Sequence, residues 1–121
     1  MTLEEDMPVI SIYLSEDAVT DGILVDITQI NPEWERGIFK YVTTNLMQQG
    51  YFTEDGSINI PNLLDLLNQS NEMIRKASHG FKDPKETFYS GNIELPNGHQ
   101  QQIFIEMNEF EKYTIMLPED H

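Results

Sequence analysis

Glu106, Glu109 and Glu111 are the residues of this chain best spaced to do chemistry, because clustered carboxylates can gather a hard divalent cation. A calcium loop needs more than that: an Asp-x-Asp-x-Asp-Gly framework closed by a glutamate, and no such spacing occurs. The histidines add nothing to a metal site. His79 and His99 fall in loop-like stretches without a second histidine at ligand spacing, and His121 is the last residue given, so each reads as solvent-facing rather than as a general base. Ser15 stands near Asp17, but the strand-Gly-x-Ser-x-Gly elbow of a hydrolase is missing, and the pair reads as a helix cap. Gly56, Gly91 and Gly98 are isolated, so no phosphate-cradling loop forms. Without cysteine there is no thiolate nucleophile, thiolate zinc site or disulfide. The expectation is a protein that is not an enzyme and holds no metal or cofactor. Asp26 stands apart, between Val25 and Ile27 in an apolar run, where a carboxylate needs a donor or an exposed position. It reads either as a hydrogen-bonded turn former or as a contact for a partner's arginine.

The elements that would carry these groups can be read from periodicity. Tyr113, Ile115 and Leu117 alternate with Thr114 and Met116 in a late strand that Pro118 closes. Gln102 to Met107 alternates likewise, and Asn108 to Lys112 is short enough to join the two as a hairpin. Asn92 to Leu95 runs into Pro96-Asn97-Gly98, an Asn-Gly turn that completes a three-stranded meander, with Thr87-Phe88-Tyr89 opening its first strand. Everything else is expected to cover the Tyr113 to Leu117 strand. The strongest helix signal has Pro61 at its start and Leu63, Leu66, Leu67, Ser70, Ile74 and Ala77 along one face, with Arg75 and Lys76 at the dipole's negative end and Gly80 as its stop. Asp65, Asn68, Gln69 and Glu72 are left for water.

Shorter elements precede it. Residues 1–7 read as a flexible acidic N-terminus, and 8–121 as a single domain. Val9 to Leu14 alternates as a strand, Ser15 caps a brief helix through Val19 that Gly22 ends, and Ile23 to Ile27 is a short strand or a buried extended segment. Asn31-Pro32 begins a single helical turn that stops near Gly37, and Thr43 or Thr44 caps a helix containing Leu46 and Met47. Thr53 to Gly56 is a turn by composition, and Phe81 to Glu86 a linking loop. The fold class expected is α+β: a three- to four-stranded antiparallel sheet packed against one main helix plus short helices.

At 121 residues the chain can bury about two-thirds of the surface its unfolded form exposes, sufficient for a two-layer core. No apolar run reaches the ~20 residues of a membrane span, and Glu4, Glu5 and Asp6 stand where a signal peptide needs basic charge. A soluble, cytoplasmic protein is expected. The charge balance is extreme: 21 acidic residues against 7 basic give −14. Such repulsion opposes direct binding to nucleic acid or to an anionic membrane and favours a basic protein surface. The carboxylates are also unevenly distributed. Glu4, Glu5, Asp6, Glu16, Asp17, Asp21 and Asp26 occupy a stretch without Lys or Arg, and Glu94, Glu106, Glu109, Glu111, Glu119 and Asp120 stand against Lys112 alone. Arg75, Lys76, Lys82 and Lys85 form the basic cluster in between.

The segments "IYLSEDAVTDGILVDIT" from Ile12 to Thr28 and "YTIMLPED" from Tyr113 to Asp120 together resemble a family of small bacterial proteins of unknown function. Members of that family are common on plasmids and phages and carry an early "DG(V/I)LVDV(S/T)" block and a terminal "TIMLPxED" block. The chain departs from the pattern by ending Leu117-Pro118-Glu119-Asp120, one residue shorter, and by its greater acidity. The resemblance implies a mobile-element setting and supplies no catalytic residues. With the charge, it leads to the expectation of a non-enzymatic inhibitor, of anti-CRISPR or anti-restriction type. Such a DNA mimic presents carboxylates in place of phosphates to a basic site on a nucleic-acid-binding defence protein. The contact residues expected are Glu4, Glu5, Asp6, Glu16, Asp17, Asp26, Glu106, Glu109, Glu111, Glu119 and Asp120, with Tyr13, Trp34 and Phe110 as aromatic anchors. The alternative is a plasmid or prophage interaction module that binds through apolar surface and uses its charge only for solubility.

Overall fold

A computed structural model of the chain describes residues 15–78 and 87–121. The expected strand at Val9 to Leu14 and the loop at Phe81 to Glu86 lie outside these residues, as do His79 and Gly80. Helix α1 (Ser15–Thr20) leads into β1 (Leu24–Asp26), then two 3-10 turns at Ile27–Gln29 and Pro32–Arg36, and β2 (Phe39–Thr43). Helix α2 (Thr44–Met47) and the long α3 (Ile60–Ser78) follow, then β3 (Phe88–Glu94), β4 (Gln100–Met107), β5 (Tyr113–Met116) and a 3-10 turn at Pro118–Asp120.

The strands form one sheet in the order β1-β2-β5-β4-β3. Strand β5 lies at its centre and is buried on both faces. Tyr113, Ile115 and Leu117 enter the core beneath α3, whereas Thr114 and Met116 are buried on the opposite face. The α+β class stands, but among the described residues the sheet has five strands and is mixed, where three or four antiparallel strands were expected. The correction traces to β2. Its Phe-Lys-Tyr-Val-Thr run is short, and an irregularity between Phe39 and Tyr41 breaks its alternation. It pairs antiparallel with β1 yet parallel with β5, a contact across more than seventy residues of chain that no local pattern announces.

Local chemistry accounts for the element ends. Asn59 accepts from the Asn62 amide at 3.1 Å at the start of α3, Thr43 accepts from Leu46 at the start of α2, and Asn31 accepts from Glu33 before Pro32. Gly98 adopts φ 90° in the β3–β4 turn, where Asn97 accepts from the His99 amide. On α3, Leu63, Leu66, Leu67, Ser70 and Ile74 are buried against the sheet, each apolar side chain contributing about 1.5–3 kcal/mol, while Ala77 is exposed. Gly91 lets the layers approach closely, since a Cβ there would stand 2.9 Å from Met73 Sδ. Among the described residues, no helix is long and apolar enough to cross a membrane.

Candidate functional site

The face of the sheet turned away from α3 is where the two acidic ends of the described chain meet. Alternation fixes its membership. The registers align Phe88, Glu106, Thr114, Tyr41 and Asp26 in one row across the strands. Beside it run Ser90, Phe104 and Met116, with Thr43 and Leu24 on the far strands. Helix α1 covers part of this face by burying Ala18. The turn after it is tied to α2, because Ile23 accepts from the Thr44 amide at 2.8 Å and Gly22 from the Thr44 hydroxyl at 2.7 Å.

Between α1, β1 and the β4–β5 hairpin lies a groove of about 330 Å³. Ala18, Leu24, Met107 and Met116 provide its apolar surface, and Glu106 and Asp120 its charge. Among the described residues, no Lys or Arg lines it. Asp120 is held in place: it accepts from the Thr43 hydroxyl at 2.7 Å, the Asn45 side-chain amide at 2.8 Å and the Leu117 amide at 3.3 Å. Glu106 Oε1 lies 3.3 Å from His121 Nε2, and the His121 ring packs against Phe88 and Phe104, with centroids 5.3 and 5.4 Å away. Asp120 is therefore fixed before any partner arrives, whereas Glu106 is half-exposed beside His121.

The expected contact residues distribute unevenly around this groove. Asp17 is exposed on α1 beside Ala18, and Glu119 is exposed on the 3-10 turn that carries Asp120. Glu109, Phe110 and Glu111 sit on the adjacent β4–β5 turn, which Asn108, a groove residue, organises by accepting from the Phe110 and Lys112 amides. Asp26 shares the sheet face but is internally engaged. It accepts from the Thr28 amide and hydroxyl at 3.0 and 2.5 Å and pairs with Lys40 at 3.3 Å, with side-chain exposures of 14% and 17%. The Lys40 ammonium lies 5.3 and 5.1 Å from the ring centres of Tyr41 and Phe110, so Phe110 is occupied in part by an intramolecular cation. Trp34 lies on the other side of the sheet, among Ile27, Phe39 and Leu67. Glu4, Glu5, Asp6 and Tyr13 fall outside the described residues, as does the side chain of Glu16.

The sequence names Thr43 only as a helix cap and gives no sign of Asn45, the two residues that hold Asp120; His121 is exposed, as expected, and also meets Glu106 and two phenylalanines. The Asp120 partners lie more than seventy residues upstream, and no spacing rule signals such a contact. Arg75 and Lys76, on the last turn of α3, belong to the opposite layer, and Arg75 pairs with Glu72 at 2.7 Å. Among the described residues, no group of three or more His, Asp or Glu side chains is disposed to hold a metal ion. Compared with models of known protein families, with curated proteins and with solved structures, the chain matches none.

Proposed function

We propose that the protein is a non-catalytic inhibitor that presents the acidic face around the Glu106–Asp120 groove to a basic site on another protein, a site of the kind that otherwise receives nucleic-acid phosphates. The observation that carries this reading is a groove walled by Ala18 of α1, with Asp17 exposed beside it, whose charged lining is Glu106 and Asp120, with no Lys or Arg among the described lining residues. At −14 the chain is steered toward basic surfaces from a distance, and a few desolvated arginine–carboxylate pairs then hold the complex. Fixing Asp120 beforehand lowers the ordering cost of such a pair. The same proposal includes a defence protein of a bacterial host as target and the mobile-element setting that the two sequence blocks imply.

The reading is tested by immobilising the full chain, capturing basic proteins from a bacterial lysate, and eluting with a salt gradient. Under phosphate mimicry, affinity for the captured protein falls by about tenfold or more between ~50 and ~200 mM salt. A combined Asp17→Asn, Glu106→Gln and Glu119→Gln variant then loses capture. Retention that is indifferent to both changes rejects the mimic. It would favour the second reading, an interaction module, which the exposed Phe88 ring packed edge-on to Phe104 at 5.0 Å supports.

A further inference from the structure

Building on the acidic-face reading, we propose that the Glu106–Asp120 groove takes a single arginine side chain of the partner and prefers it to lysine. The chain's overall charge cannot make that distinction, because both side chains carry one positive charge. The lining of the groove can. At about 330 Å³ the groove lies near the lower end of ligand pockets, roughly 300–1,000 Å³, a size for one long side chain rather than a folded segment. Its apolar wall is built by α1, β1 and both strands of the β4–β5 hairpin, as Ala18, Leu24, Met107 and Met116. Among the described residues, its charged lining is Glu106 and Asp120.

The two carboxylates differ in what they can still accept. Asp120 already takes three donors, from Thr43, Asn45 and Leu117, and a carboxylate offers about four lone-pair sites, so little of its capacity is left. Glu106 is half-exposed and meets His121 through Oε1. A guanidinium fork therefore falls to Glu106, with the charge of Asp120 beside it. The apolar wall adds the preference for arginine. A guanidinium is planar and more weakly hydrated than an ammonium, so it loses less on leaving water for such a wall, and methionine thioethers adapt to a flat group. The arginine stem finds apolar surface to cover in the same groove. A lysine ammonium is strongly hydrated and forms no fork.

The test is an NMR titration of the full chain with end-blocked arginine, lysine and citrulline, the last an uncharged isostere of arginine. Arginine should shift the methyl signals of Ala18, Met107 and Met116. Lysine, of equal charge, should bind severalfold more weakly, and citrulline more weakly still. Glu106→Gln, an isosteric change at a half-exposed position, should weaken arginine binding by about tenfold or more through the lost charged pair. Glu72→Gln removes a carboxylate that pairs with Arg75 on α3, in the opposite layer, and should leave arginine binding unchanged. Equal binding of lysine or of citrulline, equal losses in the two variants, or no arginine binding at the groove would each overturn the proposal. Each of those results leaves salt-sensitive capture, and with it the acidic-face reading, standing. Capture that ignores salt would reject that reading even where arginine is preferred.

Discussion

At the scale of single residues, Tyr51 is the most informative side chain in the core. It is fully buried, and its hydroxyl finds no hydrogen-bond partner among the described residues. Burial, reinforced by the Asp65 carboxylate, pushes its phenol up from 10.0 to about 12. Because the folded state favours the protonated form, this stability is complete below the unfolded pKa near 10 and is lost as pH rises through about 12. Tyr51→Phe removes both the orphaned hydroxyl and the titration. Urea midpoints of the variant should equal or exceed those of the parent at neutral pH, and its advantage should widen between pH ~10 and ~12. A variant clearly less stable at pH 7 would mean that the hydroxyl has a partner. Asp26 illustrates the opposite case, a carboxylate in an apolar run that the fold satisfies locally through Thr28 and at longer range through Lys40.

Between elements, the sharpest constraint joins the end of α2 to the β3–β4 turn. Gly50 has φ 118°, and a Cβ there would stand 2.9 Å from Pro96 Cγ. Gly56 has φ 87° with open space around it. Backbone strain applies to both positions, and a steric clash to Gly50 alone. Gly50→Ala should therefore cost ~2–4 kcal/mol and Gly56→Ala ~1 kcal/mol, measured as shifts in urea unfolding. Equal costs would show that the α2–turn contact is loose. The same scale explains why α3 was legible in advance. Its apolar stripe and its two last-turn cations lie within one segment, and a helix satisfies its backbone from its own residues.

For the molecule as a whole, the charge of −14 bears on stability. With 21 acidic residues against 7 basic, the carboxylates repel one another on balance, so moderate salt should raise the melting temperature. Relief of about 1 kcal/mol corresponds to ~3–6 °C in a domain of this size, readable by calorimetry between low and moderate ionic strength. A melting temperature that falls with salt would show that attractive pairs such as Lys40–Asp26 outweigh the repulsion. Under the proposed function, steering of a basic partner and self-repulsion of the fold would be two results of one charge distribution.

From its residues alone the chain determined its helices, caps and C-terminal meander, because hydrophobic period, capping side chains and the Asn97-Gly98 turn act within a few residues of one another. Tertiary structure decided what depends on distant partners. It slipped β2 in beside β5 to make the sheet mixed, gave Asp120 its donors Thr43 and Asn45, turned Asp26 inward to Lys40, and placed Trp34 away from the acidic face. Those outcomes follow from which strand edges and side chains meet after the chain has folded back on itself, and spacing along a sequence carries no record of such meetings.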